Sequence, residues 1–371
     1  MVTRREFLEL CAAVFAQNAL DGGRHVGVVP FADAEQNPPF HTLMDEGLDA
    51  RLYTDLSGLR SDSLVTPNDK FFVRTAFPDQ LDASRPWSID VSGLVRKPSA
   101  LSLADLEPLV ERQGPFVTEC AGNSDPRNYG LMSAAEWAGA PFAKLLDRLQ
   151  PAPGATRVRI SGFDGHSAVP RSSLPGASWV FTVDQLTSAG AFLATQMNGE
   201  LLPRNHGWPV RLLVPGWYGC TCIKWVNEIA LVNDDEPATR QMREFAARTH
   251  QDGTPRLARE FVPAAMDLAA LPVRIEKWLV SDRLRYRVIG IVWGGARVPQ
   301  RLRIRFRSSE PFNGFNVSQA PPSPRTWGLW SYDWQPAAPG LYQIVLKPEE
   351  GIASRRLDLY FYTRSVRIDE V

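Results

Sequence analysis

Proline and glycine recur so often in this chain that long uninterrupted helices cannot dominate its fold. The 371 residues include 30 prolines and 27 glycines, two residue types that mark turns and interrupt regular helices. Turns at this density favour short strands over a bundle of long helices. The length predicts about two or three domains, and a hydrophobic content of 44% is that of an ordinary globular protein.

The charge of the chain excludes one broad class of partner. Forty-one Lys and Arg residues balance 41 Asp and Glu residues, so the formal net charge is zero. Nucleic-acid binders carry an excess of clustered basic side chains, because binding releases the counterions of the phosphates. No stretch reaches the roughly 18 uncharged apolar residues that a membrane-spanning helix needs. We therefore expect no nucleic-acid partner and no membrane span.

The first residues of the chain indicate export. Thr3–Leu8 reads TRREFL, which matches a twin-arginine signal, and Ala32–Ala34 has the small-x-small form of a cleavage site. Residues 1–34 are thus a candidate signal, and a periplasmic location is expected. The apolar segment that should follow is interrupted by Glu9 and Gln17. The alternative is therefore a frayed N-terminal helix in a cytoplasmic protein.

Hydrophobic patterning between residues 66 and 232 is that of a mixed α/β domain. Strands are predicted at Trp87–Val91, Thr156–Ser161 and Val210–Val214, because each run is rich in strand-forming residues and bounded by Gly, Pro or Ser. Helices are predicted to begin after Ser102, which starts a capping-box motif, and at Pro141, a residue favoured at the first helical position.

A different pattern begins at Val273, where predicted strands follow one another without helices. Within Arg301–Arg307 the apolar residues alternate with arginines. This two-residue period is that of a strand with one buried and one solvent-exposed face. Similar runs occur at Leu284–Val292, Trp327–Trp334, Leu341–Leu346 and Leu357–Tyr362. Successive strands of this kind predict a β-sandwich. The expected fold class is α+β, with a mixed α/β domain over 45–235, a linker over 236–270 and an all-β sandwich over 271–371.

Three segments combine a soft metal ligand with residues that bind phosphate. They are Thr118–Asn123 (TECAGN), Pro203–Arg211 (PRNHGWPVR) and Ile223–Trp225 (IKW). In the first, Cys120 lies beside small residues that allow a backbone to approach a ligand closely. In the others, His, Arg and Lys lie near strand ends and offer the donors that hold an anionic group. Each residue alone would be an ordinary ion-pair partner or a core residue, but together they indicate a cofactor that carries a phosphate.

With Thr66–Arg74 (TPNDKFFVR) and the block 198–224, these segments resemble the molybdopterin domain of the sulfite oxidase family. The resemblance covers the first two thirds of the chain. It implies a molybdopterin domain of the sulfite oxidase type, followed by an immunoglobulin-like dimerisation domain, and therefore a homodimer. It also implies a molybdenum–molybdopterin cofactor.

The resemblance assigns roles to individual residues. Cys120 would bind molybdenum through its thiolate and would act with Arg74 in catalysis. Soft sulfur ligands suit a redox metal, because they share electron density as the metal changes oxidation state. The cofactor-binding residues would be Phe72, Val73, Arg74, Cys120, Asp164, His206, Arg211, Cys222 and Lys224.

Some positions depart from the family pattern. Ser124 and Asp125 follow CAGN where sulfite oxidases carry paired arginines, and an aspartate repels the anion that an arginine attracts. Phe245 stands where a catalytic tyrosine is expected. Arg127 could substitute for the missing pocket arginine, and His166 could face the pocket. Loop residues of this kind are usually solvated, however, so we expect both to be exposed. A histidine that commonly follows the family's FFVR is replaced by Thr75 and Ala76.

The predicted function is molybdenum-dependent oxo transfer to a small substrate, such as sulfite or another sulfur compound. The chain has neither a CxxCH haem motif nor a Rossmann glycine fingerprint, so electrons are expected to leave to an external carrier such as a c-type cytochrome. One alternative is the reverse reaction, reduction of a sulfoxide or N-oxide at the same centre. Another is a secreted immunoglobulin-like binding protein without redox activity.

Overall fold

The computed structural model describes residues 20, 22–33, 39–124, 128–319 and 323–371. The twin-arginine motif at Thr3–Leu8 and the loop residues Asp125 and Arg127 lie outside the described residues. No helix within the described part of the chain is long and apolar enough to cross a membrane.

The helices are short, as the proline and glycine content predicts. Helices α1 to α5 are Leu103–Leu106, Phe142–Leu149, Val183–Ala189, Arg240–Glu244 and Arg355–Asp358. Single 3₁₀ turns occur at Gly47–Asp49, Leu56–Gly58, Asn68–Lys70, Glu107–Leu109, Arg204–His206, Gly219–Thr221, Ala246–Arg248 and Ala258–Glu260. Strands β1 to β18 are Arg24–Val29, Ser88–Gly93, Ser99–Ser102, Glu111–Glu119, Met132–Pro141, Arg157–Gly162, Ser178–Thr182, Phe192–Met197, Glu200–Leu201, Arg211–Leu213, Val226–Val232, Ala269–Val280, Arg283–Trp293, Arg301–Arg305, Asn313–Asn316, Gly328–Trp334, Gly340–Pro348 and Arg364–Ile368.

The chain divides into two compact units. The larger unit comprises the described residues of 38–266 together with Ser323–Thr326. The smaller comprises those of 1–37, 267–322 and 327–371. The segment expected to be a linker, 236–270, therefore belongs to the larger unit as far as Met266, and it includes α4.

The larger unit contains two five-stranded sheets. In the first, the order β10-β8-β5-β4 is antiparallel throughout, and β9 pairs with β8. In the second, the order is β3-β2-β11-β6-β7, and β11 runs parallel to β2 but antiparallel to β6. The mixed α/β class predicted for this part of the chain is confirmed.

Local sequence signals explain where helices of the larger unit begin. The Ser102 hydroxyl accepts a hydrogen bond from the Asp105 N–H, and the Asp105 carboxylate accepts one from the Ser102 N–H, which completes the predicted capping box of α1. Pro141 precedes α2, whose residues Phe142, Leu145 and Leu149 are buried on one face.

The smaller unit is a β-sandwich of two four-stranded antiparallel sheets. Their orders are β1-β12-β13-β16 and β15-β14-β17-β18. Both sheets contribute to one hydrophobic core, the first with residues such as Val288 and the second with Leu302 and Ile304. The predicted alternation in β14 is confirmed, because these two side chains are fully buried while Arg301 is exposed.

One predicted strand of the smaller unit is wrong. Leu357–Tyr362 forms the end of α5 and a turn instead of a strand. The Ser354 hydroxyl accepts a hydrogen bond from the Leu357 N–H, and such a side-chain cap favours a helical turn at this point. The strand that completes this sheet, β18, begins only at Arg364.

An N-terminal segment belongs to the sandwich. Strand β1 pairs antiparallel with β12, and Phe31 packs into the core at 8% exposure. The Arg364 side chain pairs with Asp33 at 3.1 Å between Nε and Oδ2, and the Ala32 N–H donates to the Ser365 carbonyl. Residues 24–33 are therefore folded structure, although they fall within the candidate signal 1–34.

Candidate active site

Sheet topology brings the predicted site residues to neighbouring edges of the larger unit. Cys120 follows the end of β4 and Arg211 begins β10; these strands run in opposite directions, so both residues lie at one edge of the first sheet. Asp164 follows β6 and Lys224 precedes β11, which is antiparallel to β6, so both lie at one edge of the second sheet.

A cavity opens between these elements. Together with the solvent space at its mouth, its volume is about 880 Å³. Its walls include most of the predicted site residues: Phe72, Arg74, Cys120, Asp164, His206, Arg211, Cys222 and Lys224. Val73 does not line it, because its side chain is buried and its backbone N–H and C=O both pair with Leu52.

The loop after β4 fixes the position of the Cys120 sulfur. The backbone N–H of Cys120 donates to the Leu131 carbonyl at 2.9 Å. The buried Asn123 closes the turn, because its backbone N–H donates to the Cys120 carbonyl at 2.9 Å. The Asn123 side chain in turn accepts from the Leu131 N–H. The Gly122 N–H donates to the Cys120 Sγ at 3.4 Å.

His206 offers a neutral hydrogen-bond acceptor to the cavity. Its Nε2 lies 2.9 Å from the Asn68 carbonyl, so Nε2 carries the proton and Nδ1 is left as the acceptor. Burial lowers the pKa of His206 to about 3, with smaller contributions from the charges of Lys224 and Arg211. The imidazole is therefore neutral in any ordinary buffer.

The buried Arg211 and the half-buried Lys224 line the cavity, and neither has a carboxylate within 4 Å among the residues that the structure describes. The Arg211 guanidinium contacts only the His206 carbonyl at 3.3 Å and the face of Trp137, and its Nε has no hydrogen-bond partner among the described residues. Lys224 donates from Nζ to the Asn205 carbonyl at 2.9 Å and to the Thr75 carbonyl. Burial lowers the pKa of both groups, and the charge of Arg211 lowers that of Lys224 further.

A third cation, Arg74, also lines the cavity, and its hydrogen bonds go to neutral groups. Its Nη1 donates to the Leu48 carbonyl at 2.6 Å, and its Nη2 donates to the Ser173 hydroxyl. Burial lowers its pKa, and the nearby Cys120 opposes that effect. The adjoining Asp49 carboxylate accepts from the Arg171 and Ser172 N–H groups, and thereby fixes the loop that carries Ser173.

The charges of these three side chains, one buried and two half-buried, identify what the cavity can hold. Within the described ranges, none of Arg74, Arg211 and Lys224 has a carboxylate oxygen within 4 Å, although the charge of Asp164 does act on Lys224. Buried charges in proteins are normally paired, because removing an ion from water is costly. The cavity is therefore suited to a ligand that carries negative charge, and a phosphate fits the donors of Arg211 and Lys224.

Asp164 lies beside a histidine that was expected to be exposed. Its Oδ2 accepts from the Gly176 N–H at 2.9 Å, and its Oδ1 lies 3.3 Å from the His166 Nε2. The His166 side chain is only 3% exposed, so the expectation of a solvated loop histidine is wrong. His166 packs behind Asp164 and near Trp225 rather than on the cavity wall.

Sequence reasoning missed part of the wall. Cys220 lines the cavity beside Cys120 and Cys222 and, like them, is reduced. Burial raises the pKa of the Cys220 thiol well above its ordinary value, the two neighbouring sulfurs add to this, and the charge of Arg248 opposes it. The segment 240–245 adds Gln241, Glu244 and Phe245 to the wall. Only Phe245 was singled out from the sequence, as the residue at the expected tyrosine position.

Known proteins share this arrangement of sequence and fold. A family model described as an oxidoreductase molybdopterin binding domain matches residues 75–240. Sulfite oxidase from Gallus gallus is 30% identical over 206 residues, which are 50% of this chain and 44% of that protein. The chain contains an oxidoreductase molybdopterin binding domain, and it is similar to sulfite oxidases over half of its length. The alternative of a binding protein without redox activity is therefore set aside, and the implied cofactor is molybdenum–molybdopterin.

Other family members define how far the similarity reaches. Nitrate reductase (NADH) 1 from Phaseolus vulgaris is 30% identical over 194 residues, which are 48% of this chain and 22% of that protein. The chain thus spans less than half the length of these two family relatives. The sulfane dehydrogenase SoxCD from Paracoccus pantotrophus shares the fold, with a TM-score of 0.64 at 19% identity over 85% of this chain and 80% of that chain.

Proposed function

We propose that this enzyme oxidises a small sulfur-containing anion, such as sulfite, and passes the electrons to an external carrier. The observation that supports the proposal is a thiol at the end of β4 that shares its cavity with the buried Arg211 and the half-buried Arg74 and Lys224, none of which has a carboxylate within 4 Å in the described part of the chain. Relatives named as sulfite oxidase and sulfane dehydrogenase act on sulfur compounds, which agrees with this substrate class.

The cofactor would be held by residues of complementary chemistry. The Cys120 thiolate would bind molybdenum, and the Arg211 and Lys224 side chains would donate to the phosphate. The His206 Nδ1 would accept a hydrogen bond from a pterin N–H, and the Asp164 carboxylate would do the same from a second donor. When bound, the cofactor supplies a metal that takes two electrons from the substrate as an oxygen atom is transferred.

The remaining wall residues would shape access to that centre. Arg74 is held rigidly by Leu48 and Ser173, so its charge is positioned to orient an anion next to Cys120 at little entropic cost. Phe245 places an apolar ring at the expected tyrosine position, so this wall excludes water and donates no proton. Cys222 and Phe72 would pack against the cofactor.

Export and assembly form the second part of the proposal. We infer that the chain is exported through the twin-arginine pathway, that a c-type cytochrome accepts its electrons, and that its sandwich is an immunoglobulin-like dimerisation domain. Because β1 and Phe31 contribute to the sandwich, cleavage would occur before Arg24 and not at 32–34. Mass spectrometry of the exported chain tests this point, and a mature N-terminus at residue 35 would contradict it.

One observation favours a second candidate, the reduction of a sulfoxide or N-oxide. The apolar Phe245 ring and the absence of an arginine at Ser124 suit a neutral substrate better than an anion. Dye-linked assays in both directions separate the two candidates. Oxidation of sulfite or thiosulfate with an artificial acceptor supports the proposal. Turnover of sulfoxides or N-oxides with a reduced dye, without oxidation of either anion, would replace it with the second candidate.

A further inference from the structure

Arg248 is a basic residue beside Phe245, a residue of the cavity wall, and the sequence pattern did not single it out. It ends the 3₁₀ turn Ala246–Arg248, which follows α4, and its side chain is exposed. Its guanidinium carbon lies 5.5 Å from the centre of the Phe245 ring, and that ring is part of the cavity wall. An arginine stacked on an aromatic ring keeps its donors free to bind a planar or tetrahedral anion.

Arg248 is also close to the thiol of Cys120. A β-carbon added to Gly122 would stand 3.0 Å from the Arg248 Nη1 and 3.8 Å from the Cys120 Sγ. Since both atoms lie that near to one point, they are no more than 6.8 Å apart. The missing side chain at Gly122 therefore leaves the guanidinium and the sulfur facing the same small space.

Two arginines then flank Cys120, and they differ in how their donors are used. Arg74 already donates to Leu48 and Ser173. The Arg248 guanidinium has no carboxylate partner within the described ranges, and the nearest acidic side chain of its own segment, Glu244, accepts from the Leu174 N–H instead. Arg248 is thus the arginine with donors available at the mouth of the site.

We propose that Arg248 binds the oxyanion group of the substrate beside Cys120, an inference that rests on the proposed function. This arginine supplies the positive charge that the ECAGN loop lacks, because Ser124 and Asp125 stand where sulfite oxidases carry arginines. The substrate class is a sulfur oxyanion with at least two terminal oxygens, which a guanidinium binds through paired hydrogen bonds.

The test compares Arg248→Met, Arg248→Lys and a matched control, Arg243→Met, in the holoenzyme. Arg243 is an exposed arginine of α4 that does not line the cavity. For Arg248→Met we expect the KM for sulfite to rise about tenfold to a hundredfold, as for the loss of a hydrogen bond to a charged group, while kcat changes by less than about threefold. Arg248→Lys should recover part of the loss, and Arg243→Met should match the wild type.

Calorimetric titration with sulfate gives a readout that does not depend on turnover. The sulfate Kd should rise in Arg248→Met by about the same factor as the KM. An unchanged sulfate affinity in this variant, or a wild-type holoenzyme that binds no sulfate, overturns the role of Arg248. If sulfate binding depends on Arg248 but no sulfur oxyanion is oxidised, the role stands and the proposed reaction fails.

Discussion

Arg364 in the smaller unit and Arg211 in the larger unit are both buried beside an aromatic ring, yet their partners differ. Arg364 is 1% exposed, lies 4.1 Å from the Phe31 ring centre and pairs with the Asp33 carboxylate. Arg211 is 5% exposed, lies 5.7 Å from the Trp137 ring centre and donates to a carbonyl, its one hydrogen-bond partner among the described residues.

The difference separates a structural charge from a ligand-binding one. The cost of burying Arg364 is offset within the protein by a carboxylate, so removing the arginine leaves an unpaired charge behind. The cost of burying Arg211 is offset only when an anion enters the cavity. Replacing Arg211 should therefore leave the stability of the cofactor-free protein unchanged or raise it, and should lower its affinity for the cofactor. The following predictions test this distinction.

The largest effect is expected from Cys120→Ser, which removes the proposed metal ligand and leaves the cations in place. Molybdenum-dependent activity should fall about a thousandfold or more, because a hydroxyl is a poor substitute for a thiolate on a soft redox metal. Circular dichroism and thermal unfolding should be unchanged, since the hydrogen bonds that fix this loop use the backbone of Cys120 and the side chain of Asn123. Retention of wild-type turnover would show that the thiol is not a ligand.

Arg211→Met should act next most strongly, on cofactor retention. The molybdopterin content of the purified protein should fall about tenfold or more, because a buried cation that meets a phosphate is lost. Arg204→Met is the matched control, since Arg204 lies in the nearby turn but is exposed and outside the cavity wall. Equal cofactor content in the two variants would remove Arg211 from the phosphate site.

Arg364→Met should affect stability instead. In the cofactor-free protein it should lower the free energy of unfolding of the smaller unit by about 2–3 kcal/mol, because Asp33 loses its partner at a partly buried site. Arg211→Met, measured in parallel by urea denaturation, should leave stability unchanged or raise it. If Arg211→Met destabilised the protein as much as Arg364→Met, both arginines would be structural and the comparison would fail.

The smallest effect concerns Asp49, whose charge is stabilised by N–H and O–H groups rather than by a cation. Burial would raise the pKa of Asp49, but hydrogen bonds from Ser172, Arg171 and Ser173 outweigh it and lower the pKa to about 2. A lowered carboxyl pKa contributes stability that is complete above the unfolded value near 3.8 and is lost as the pH falls toward 2. Asp49→Asn should lower the free energy of unfolding by about 2 kcal/mol at pH 7. It should also make that free energy depend less on pH between about pH 4 and pH 2. An unaltered profile would contradict the assigned hydrogen bonds.

The sequence predicted those features that depend on local pattern. The alternation at Leu302 and Ile304 identified a strand, and the Ser102 capping box identified a helix start, because both signals lie within a few residues. Leu357 was assigned to a strand because its hydrophobic neighbours outweighed the cap that Ser354 provides in the structure.

Contacts between distant residues account for most of what the sequence did not predict. Strand β1 pairs with β12, more than two hundred residues later, and Arg248 approaches Gly122 although more than a hundred residues separate them in the chain. The burial of His166 likewise depends on Asp164 and Trp225 being held by other elements. The resemblance to the family predicted Cys120 and the cations as site residues. Cys220 and Arg248 match no family motif, and only the folded structure places them near the cavity.

X-ray absorption spectroscopy at the molybdenum edge tests the central claim most directly. The account predicts that the wild-type protein contains molybdenum and that its metal has one more sulfur neighbour than the metal in Cys120→Ser. An identical sulfur count in the two proteins, or wild-type protein without molybdenum from a host that makes the cofactor, would contradict it.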